Sequence, residues 1–197
     1  ILKGTATVDQ LDLAWLAEWV LGQGALSSDG KAWPVTEFAK TGLAKMRGEV
    51  ALNARVARMR SVGEILDLRT NLAISPDSLG LRNVSGAFLG GSLAGSIDVT
   101  NNAGTALVNG DVSLRGFSPE KLVVQGNAYG IADISGSLSA SGTSASAMFP
   151  SLTGSGTANV KKLTIAGINP DAFGDVIEAG GADEKVPDSA MVEGLVK

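Results

Sequence analysis

Between residues 48 and 75 the chain alternates apolar and polar side chains almost without a break, and few architectures accept such a pattern. Val50, Leu52, Ala54 and Val56 fall on one parity, with Glu49, Asn53 and Arg55 on the other. Leu66, Leu68, Thr70, Leu72 and Ile74 then stand against Asp67, Arg69, Asn71, Ala73 and Ser75. Successive side chains of a strand point to opposite faces, so this spacing predicts a sheet with one apolar and one wet face, the antiparallel pattern. Ser75-Pro76-Asp77-Ser78 supplies turn chemistry where the run ends.

Further strands are expected near Leu79–Val84, Gly86–Leu89, Leu93–Thr100, Thr105–Arg115, Lys121–Ala128, Ile131–Ser141 and Gly154–Ile165, giving a sheet over about 48–165. Asn101-Asn102-Ala103-Gly104 reads as a hairpin connection. Ser118-Pro119 opens like a helical turn, and Lys161-Lys162 interrupts the alternation as a bulge would. The stretches Gly86–Gly95 and Asp133–Gly142 share a small-residue texture. Glycine, 26 of 197 residues, is well above the usual ~7% and suits many short strands and bends.

Helices are few. Leu13, Leu16, Ala17 and Val20 recur at helical spacing within 11–21, and Gly22 stands where a C-cap would. Trp15 and Trp19 lie four apart and share a face, so this helix either packs on the core or, as an amphipathic helix, touches lipid or closes a groove. A loop at 27–34 follows, with a short helix within Thr36–Met46. Asn169-Pro170 opens a terminal helix over 169–179, and a polar tail occupies 180–197. The chain is read as a single β-rich segment, 1–197. It begins at Ile1 without a charged leader, so any targeting segment is expected outside it.

Composition excludes much chemistry. The chain has no Cys and no His. Thiolate nucleophiles, Ser-His-Asp triads and His-based metal sites are thereby removed. Gly90-Gly91-Ser92-Leu93-Ala94-Gly95 is no nucleophile elbow, and no phosphate-cradling glycine loop with its Lys occurs. Asp9, Asp12, Asp67, Asp77, Asp98, Asp111 and Asp133 are scattered over polar faces and turns, with few aromatic residues to form a sugar platform. The chain is therefore read as non-enzymatic, without cofactor or metal. A net charge of −4 with no basic stripe argues against nucleic acid.

Three stretches resemble the C-terminal region of the AsmA family of bacterial envelope proteins. The first is Asp29-Gly30-Lys31-Ala32-Trp33-Pro34-Val35-Thr36-Glu37-Phe38. The second runs from Leu79-Gly80-Leu81 through Gly90-Gly91-Ser92-Leu93-Ala94-Gly95-Ser96-Ile97-Asp98-Val99. The third runs from Leu138-Ser139-Ala140-Ser141-Gly142-Thr143-Ser144 through Leu152-Thr153-Gly154-Ser155-Gly156-Thr157-Ala158-Asn159-Val160, ending at Ile165-Ala166-Gly167-Ile168-Asn169. Together they cover roughly Gly30 to Asp175. The resemblance implies a bridge-like lipid-transfer protein. Such a protein would have a twisted, curved antiparallel sheet forming an open apolar groove, a periplasmic location and attachment to the inner membrane through a segment outside this chain. It also implies a role in phospholipid transport and outer-membrane integrity.

The expected fold is thus α+β and β-dominated, a twisted antiparallel sheet with a few short helices. An apolar sheet face must be covered by protein or by a ligand. With the resemblance, the ligand is a phospholipid or other acyl-chain lipid, and the candidate lining is Val50, Leu52, Val56, Leu66, Leu68, Leu72, Ile74, Val108, Val112 and Leu114. From the residues alone a sealed core is the simpler reading, which would make the chain a structural or assembly scaffold of the envelope.

Overall fold

The computed structural model describes residues 2–27, 33–41, 46–59, 62–118, 120 and 128–165. The strand expected at 121–128 (its last residue excepted), the terminal helix at 169–179 and the tail at 180–197 lie outside them. In chain order the elements are β1 (Leu2–Asp12), α1 (Leu13–Leu21), β2 (Gly48–Met59), β3 (Gly63–Ile74), β4 (Ser78–Phe88), β5 (Gly91–Asn102), β6 (Thr105–Phe117), β7 (Ala128–Gly142), α2 (Ala145–Met148) and β8 (Thr153–Ile165), with a 3-10 turn at Phe149–Ser151 before β8. The strands form one open, eight-stranded mixed sheet in the order of the chain, β1 to β8. The chain divides into two compact units. One comprises Ile1–Phe117 and Ala132–Asn159, the other Ser118–Ile131 and Val160–Lys197. The first holds both hydrophobic cores, all of β1 to β6 and the greater part of β7 and β8.

The β-dominated expectation holds, but the sheet is not antiparallel throughout. β1, which the alternation did not single out, pairs parallel with β2, from Leu2 opposite Gly48 to Asp12 opposite Arg58. β1 consists largely of small and polar residues with most side chains exposed, so its periodic signal is weak. The parallel pairing follows from the connection. A helix and a long segment return the chain to the starting edge before β2 begins, whereas tight turns join β3 to β4, β4 to β5 and β5 to β6 in antiparallel order.

α1 starts two residues later than its hydrophobic spacing suggests, because Asp12 caps it. The Asp12 carboxylate accepts from the Ala14 and Trp15 amides at 2.8 and 3.3 Å. Gly22 ends the helix at φ 104°, a left-handed geometry that disfavours a side chain, and its N–H donates to the Glu18 carbonyl at 2.9 Å. Leu16 and Val20 enter the main core with Leu52, Leu68, Leu72, Leu81 and Phe88. The paired tryptophans meet edge to face at 5.0 Å, with Trp19 against the core and Trp15 exposed.

Residues 33–41 are not helical, contrary to the short helix expected within Thr36–Met46, of which 42–45 lie outside the described residues. Their backbone bonds go to distant partners. The Phe38 N–H donates to the Thr143 carbonyl at 2.7 Å and the Ala39 N–H to the Leu21 carbonyl at 2.8 Å. Phe38 anchors a second core with Leu21, Ala25, Val99, Ala106 and Ala145. Asn101 ties these parts together. Its buried amide donates to the Val20 and Ala39 carbonyls at 2.7 and 2.8 Å, while its oxygen accepts from the Gly104 N–H at 2.9 Å.

The alternation itself has a fault line. In β1 to β4 the core-facing positions step by three instead of two at one level: Val8 to Leu11, Ala54 to Ala57, Leu68 to Ile65, and Leu81 to Val84. Asp67 and Asn83 sit there at φ 51° and 53°. The register of β3 against β4 slips at the same level, where the Thr70 hydroxyl donates to the Arg82 carbonyl at 2.9 Å. Left-handed backbone at Asp or Asn is tolerable, and as in a bulge it turns the side chains beyond it to the other face. The two short strands expected at Leu79–Val84 and Gly86–Leu89 are accordingly one strand with a kink.

Candidate functional site

Directly opposed residues of paired strands share a face, so the register carries the helix-covered face as far as β7. One row reads Leu93, Leu114, Ile134; the next Gly95, Val112, Gly136; the next Ile97, Gly110, Leu138; the last Val99, Val108, Ala140. No side chain in these rows carries a polar atom. The alternate positions on β6 and β7 are Asn109, Asp111, Ser113, Ser135, Ser137 and Ser139. The same parity rule therefore runs on from β3 to β7.

What changes is the cover. On β3, under α1, Leu68 is 1% exposed. In the middle of β6 and β7, Val112, Ile134 and Leu138 are 37, 38 and 39% exposed. Together with Gly136, Gly154, Gly156, Ala158 and the hydroxyl-bearing Ser135, Ser137, Ser155 and Thr157 they line a shallow depression of about 370 Å³. Its floor is glycine because strand backbones approach closely there. A Cβ on Gly136 would meet the Ser155 carbonyl oxygen at 2.6 Å, and one on Gly156 the Ser135 oxygen at 2.7 Å. β7 and β8 are fastened on the polar side by the Ser135 and Thr157 hydroxyls, 3.0 Å apart.

A second depression of about 480 Å³ involves Asp111, Ser135, Ser137, Ser155 and Thr157. Asp111 is the sole carboxylate lining it, so it lacks the carboxylate pair that glycoside hydrolysis uses. Asp111 also lies 3.4 Å from the Ser96 hydroxyl. Among the described residues no helix is long and apolar enough to cross a membrane.

The candidate lining residues divide. Leu52, Leu68, Leu72, Ile74 and Leu114 are buried in the core that α1 closes. Val50, Val56 and Val108 are half-buried. Leu66, expected on the same face as Leu68, is exposed instead, and Ile65 takes the buried place, because the left-handed Asp67 inverts the parity between them. Val112 alone of the ten lies in the uncovered depression. Ile134, Leu138 and Ala158, its neighbours there, were not singled out from the sequence. Their signal was present: Ile134, Gly136, Leu138 and Ala140 alternate with four serines, as cleanly as the β3 run does. Low side-chain volume hid the face. Comparisons of the chain with family models, with curated proteins and with solved structures return no match.

Proposed function

We propose that this chain is a non-catalytic, lipid-binding segment of an AsmA-like envelope protein. Phospholipid acyl chains lie on the uncovered apolar face of β6 to β8. In the full-length protein the segment stands in the periplasm, is attached to the inner membrane through a segment outside this chain, and contributes to phospholipid transport and outer-membrane integrity. The observation that carries the reading is the exposure of Val112, Ile134 and Leu138 on the same face that α1 covers elsewhere. The motif resemblance supports the envelope setting.

The physics favours weak, exchangeable holding. Burying a methylene is worth ~0.8 kcal/mol, so ten of them yield roughly 8 kcal/mol. Association itself costs ~4–15 kcal/mol in lost freedom. A shallow face therefore retains an acyl chain loosely and releases it readily, as conduction requires.

The direct test is titration of the purified chain with a fluorescent fatty acid, alongside mass spectrometry of lipid extracted from it. Saturable binding that Leu138→Asp weakens at least tenfold, with the unfolding midpoint unchanged, is expected. Absence of both bound lipid and saturable binding would falsify it. A second reading, an envelope scaffold with a closed core, then gains. The burial of Leu52, Leu68, Leu72, Ile74 and Leu114 favours it.

A further inference from the structure

The sheet is open, and the outer side of β1 is one of its two edges. The Leu2 N–H donates to the Arg47 carbonyl at 2.9 Å, the bond a parallel ladder makes when Leu2 stands opposite Gly48. Backbone groups alternate in direction along a strand. Leu2, Gly4, Ala6 and Val8 therefore bond to β2, while Lys3, Thr5 and Thr7 turn their N–H and C=O groups outward. Lys3, Thr5 and Thr7 are exposed, and Ala6 and Val8 are half-buried. Where it is described, the connection from β1 to β2 leads away from this edge: its Leu21, Ala25 and Phe38 pack with Val99, Ala106 and Ala145. Sheet edges are commonly blunted by Pro or a bulge, yet β1 has no Pro and an unbroken register from Leu2 to Val8.

Reversed about Ala6, this strand complements itself. Laid antiparallel on a second copy, Ala6 meets Ala6, Thr5 meets Thr7 and Lys3 meets Asp9. The backbone agrees with that register. Thr5 and Thr7 both point outward and so exchange both of their hydrogen bonds. Ala6 then falls at a non-bonded pair, where Cα atoms approach to ~4.5 Å and a small side chain fits. Charge agrees as well. Asp9 lies 3.5 Å from Arg55, which holds it on the wet face with Lys3, and its side chain remains 88% exposed. Lys3 makes no ion pair among the described residues. Pairing β1 parallel with itself would set Lys3 against Lys3. Strand β8 has no such fit with its own copy, because it carries Lys161 and Lys162 and no acidic residue.

We propose that β1 pairs antiparallel with β1 of a second copy of this chain, joining two sheets across a twofold axis at Ala6. An isologous contact of this kind closes at two copies. The axis runs perpendicular to the sheet, so both apolar faces stay on the same side. The contact needs no lipid and stands apart from the acyl-chain face of β6 to β8.

The experiment is sedimentation equilibrium of the full 197-residue chain over rising concentration, at low and high salt. A monomer–dimer equilibrium that salt weakens is expected. Lys3→Glu sets acid against acid at both ends of the contact, and Asp9→Lys sets base against base. Each variant alone weakens dimerisation by about tenfold or more. Mixed in equal amounts, the two variants form a heterodimer, since both charge pairs are then opposite in sign. Both positions are exposed, so the unfolding midpoint is kept. The chain has no cysteine, so Ala6→Cys supplies a single thiol that a mild oxidant links into a covalent dimer across the twofold. A chain that stays monomeric at every concentration overturns the proposal. So does a dimer that neither charge variant weakens, that the mixture fails to restore, or that Ala6→Cys does not cross-link. Species that grow beyond two copies overturn it too, because they require β1 to pair with a different edge.

Discussion

β3 and β7 obey one alternation and meet opposite fates. On β3, Leu68 and Leu72 disappear beneath α1. On β7, Ile134 and Leu138 occupy equivalent places on the same face and stay open. Size separates them before any cover is considered. Apart from the buried Thr70, the β3 run is Leu and Ile, which gain most from burial under a helix. The β7 run interleaves Ile134 and Leu138 with Gly136, leaving a hollow where a helix would find little to pack against. A sheet can thus carry one parity across its width and still be a core at one place and a surface at another.

Charge reversal at matched positions breaks the comparison most sharply. Leu68→Asp places an uncompensated carboxylate in a site 1% exposed, and a loss of about 4–5 kcal/mol, enough to unfold many domains, is expected by chemical denaturation. Leu138→Asp, on the open part, is expected to move stability by only about 0.5 kcal/mol. If both variants unfold the chain, the β7 face is core and the lipid reading loses its surface.

Next in size is the clamp that fixes the covered part. Asn101→Ala removes the partner of two carbonyls, Val20 on α1 and Ala39 on the adjoining segment, and the acceptor of the Gly104 N–H. Leaving such buried groups unmet costs about 2–3 kcal/mol in total. Hydrogen exchange sharpens the result: protection should fall in α1 and in 33–41 and stay unchanged at Ile134–Leu138. Uniform loss across both places would make the sheet a single cooperative unit in which the cover is not separable.

Much of this was readable beforehand, and the failures have physical causes. The strands from Gly48 to Ile74, and the one expected at Thr105–Arg115 that extends to Phe117, followed from alternation, since Val, Leu and Ile mark parity strongly. The open β-dominated sheet was legible for the same reason. The parallel β1 was not, because a strand of Gly, Ala and Thr with exposed side chains gives parity no contrast. Leu66 was misplaced because a left-handed Asp leaves no trace in an apolar pattern. The expected lining consists mainly of large aliphatic side chains, and five of them, Leu52, Leu68, Leu72, Ile74 and Leu114, are drawn into the core. The uncovered face belongs to the region of small residues, where hydrophobicity counts are lowest.

Filling that hollow is a smaller perturbation. Gly136→Ala would bring a methyl group to 2.6 Å from the Ser155 carbonyl oxygen, a backbone atom that cannot swing aside. Overpacking of this kind costs about 1–2 kcal/mol by denaturant midpoint. Gly4→Ala, where a Cβ meets nothing within 4 Å, supplies the control and should be neutral. A neutral Gly136→Ala would mean that β7 and β8 part easily and that the hollow widens on demand.

The slightest effect is expected at the turn that abuts the clamp. Asp77 accepts from the Ser75 hydroxyl at 2.7 Å, and its own carbonyl receives the Asn101 N–H at 2.7 Å. The Ser75 hydrogen bond holds the Asp77 carboxyl below the ordinary aspartate range, helped by a backbone N–H and the Arg47 charge against slight desolvation. A lowered folded value means stability that is present above the ordinary pKa of ~3.9 and lost as pH falls through the folded value. Ser75→Ala should raise the Asp77 titration midpoint, read from its carboxyl carbon by NMR. The small stability deficit of that variant should exist at neutral pH and close in acid. A deficit constant with pH would instead assign the loss to the Ser75–Ser78 hydroxyl contact, 2.6 Å apart, and leave the carboxylate without a part in holding this turn.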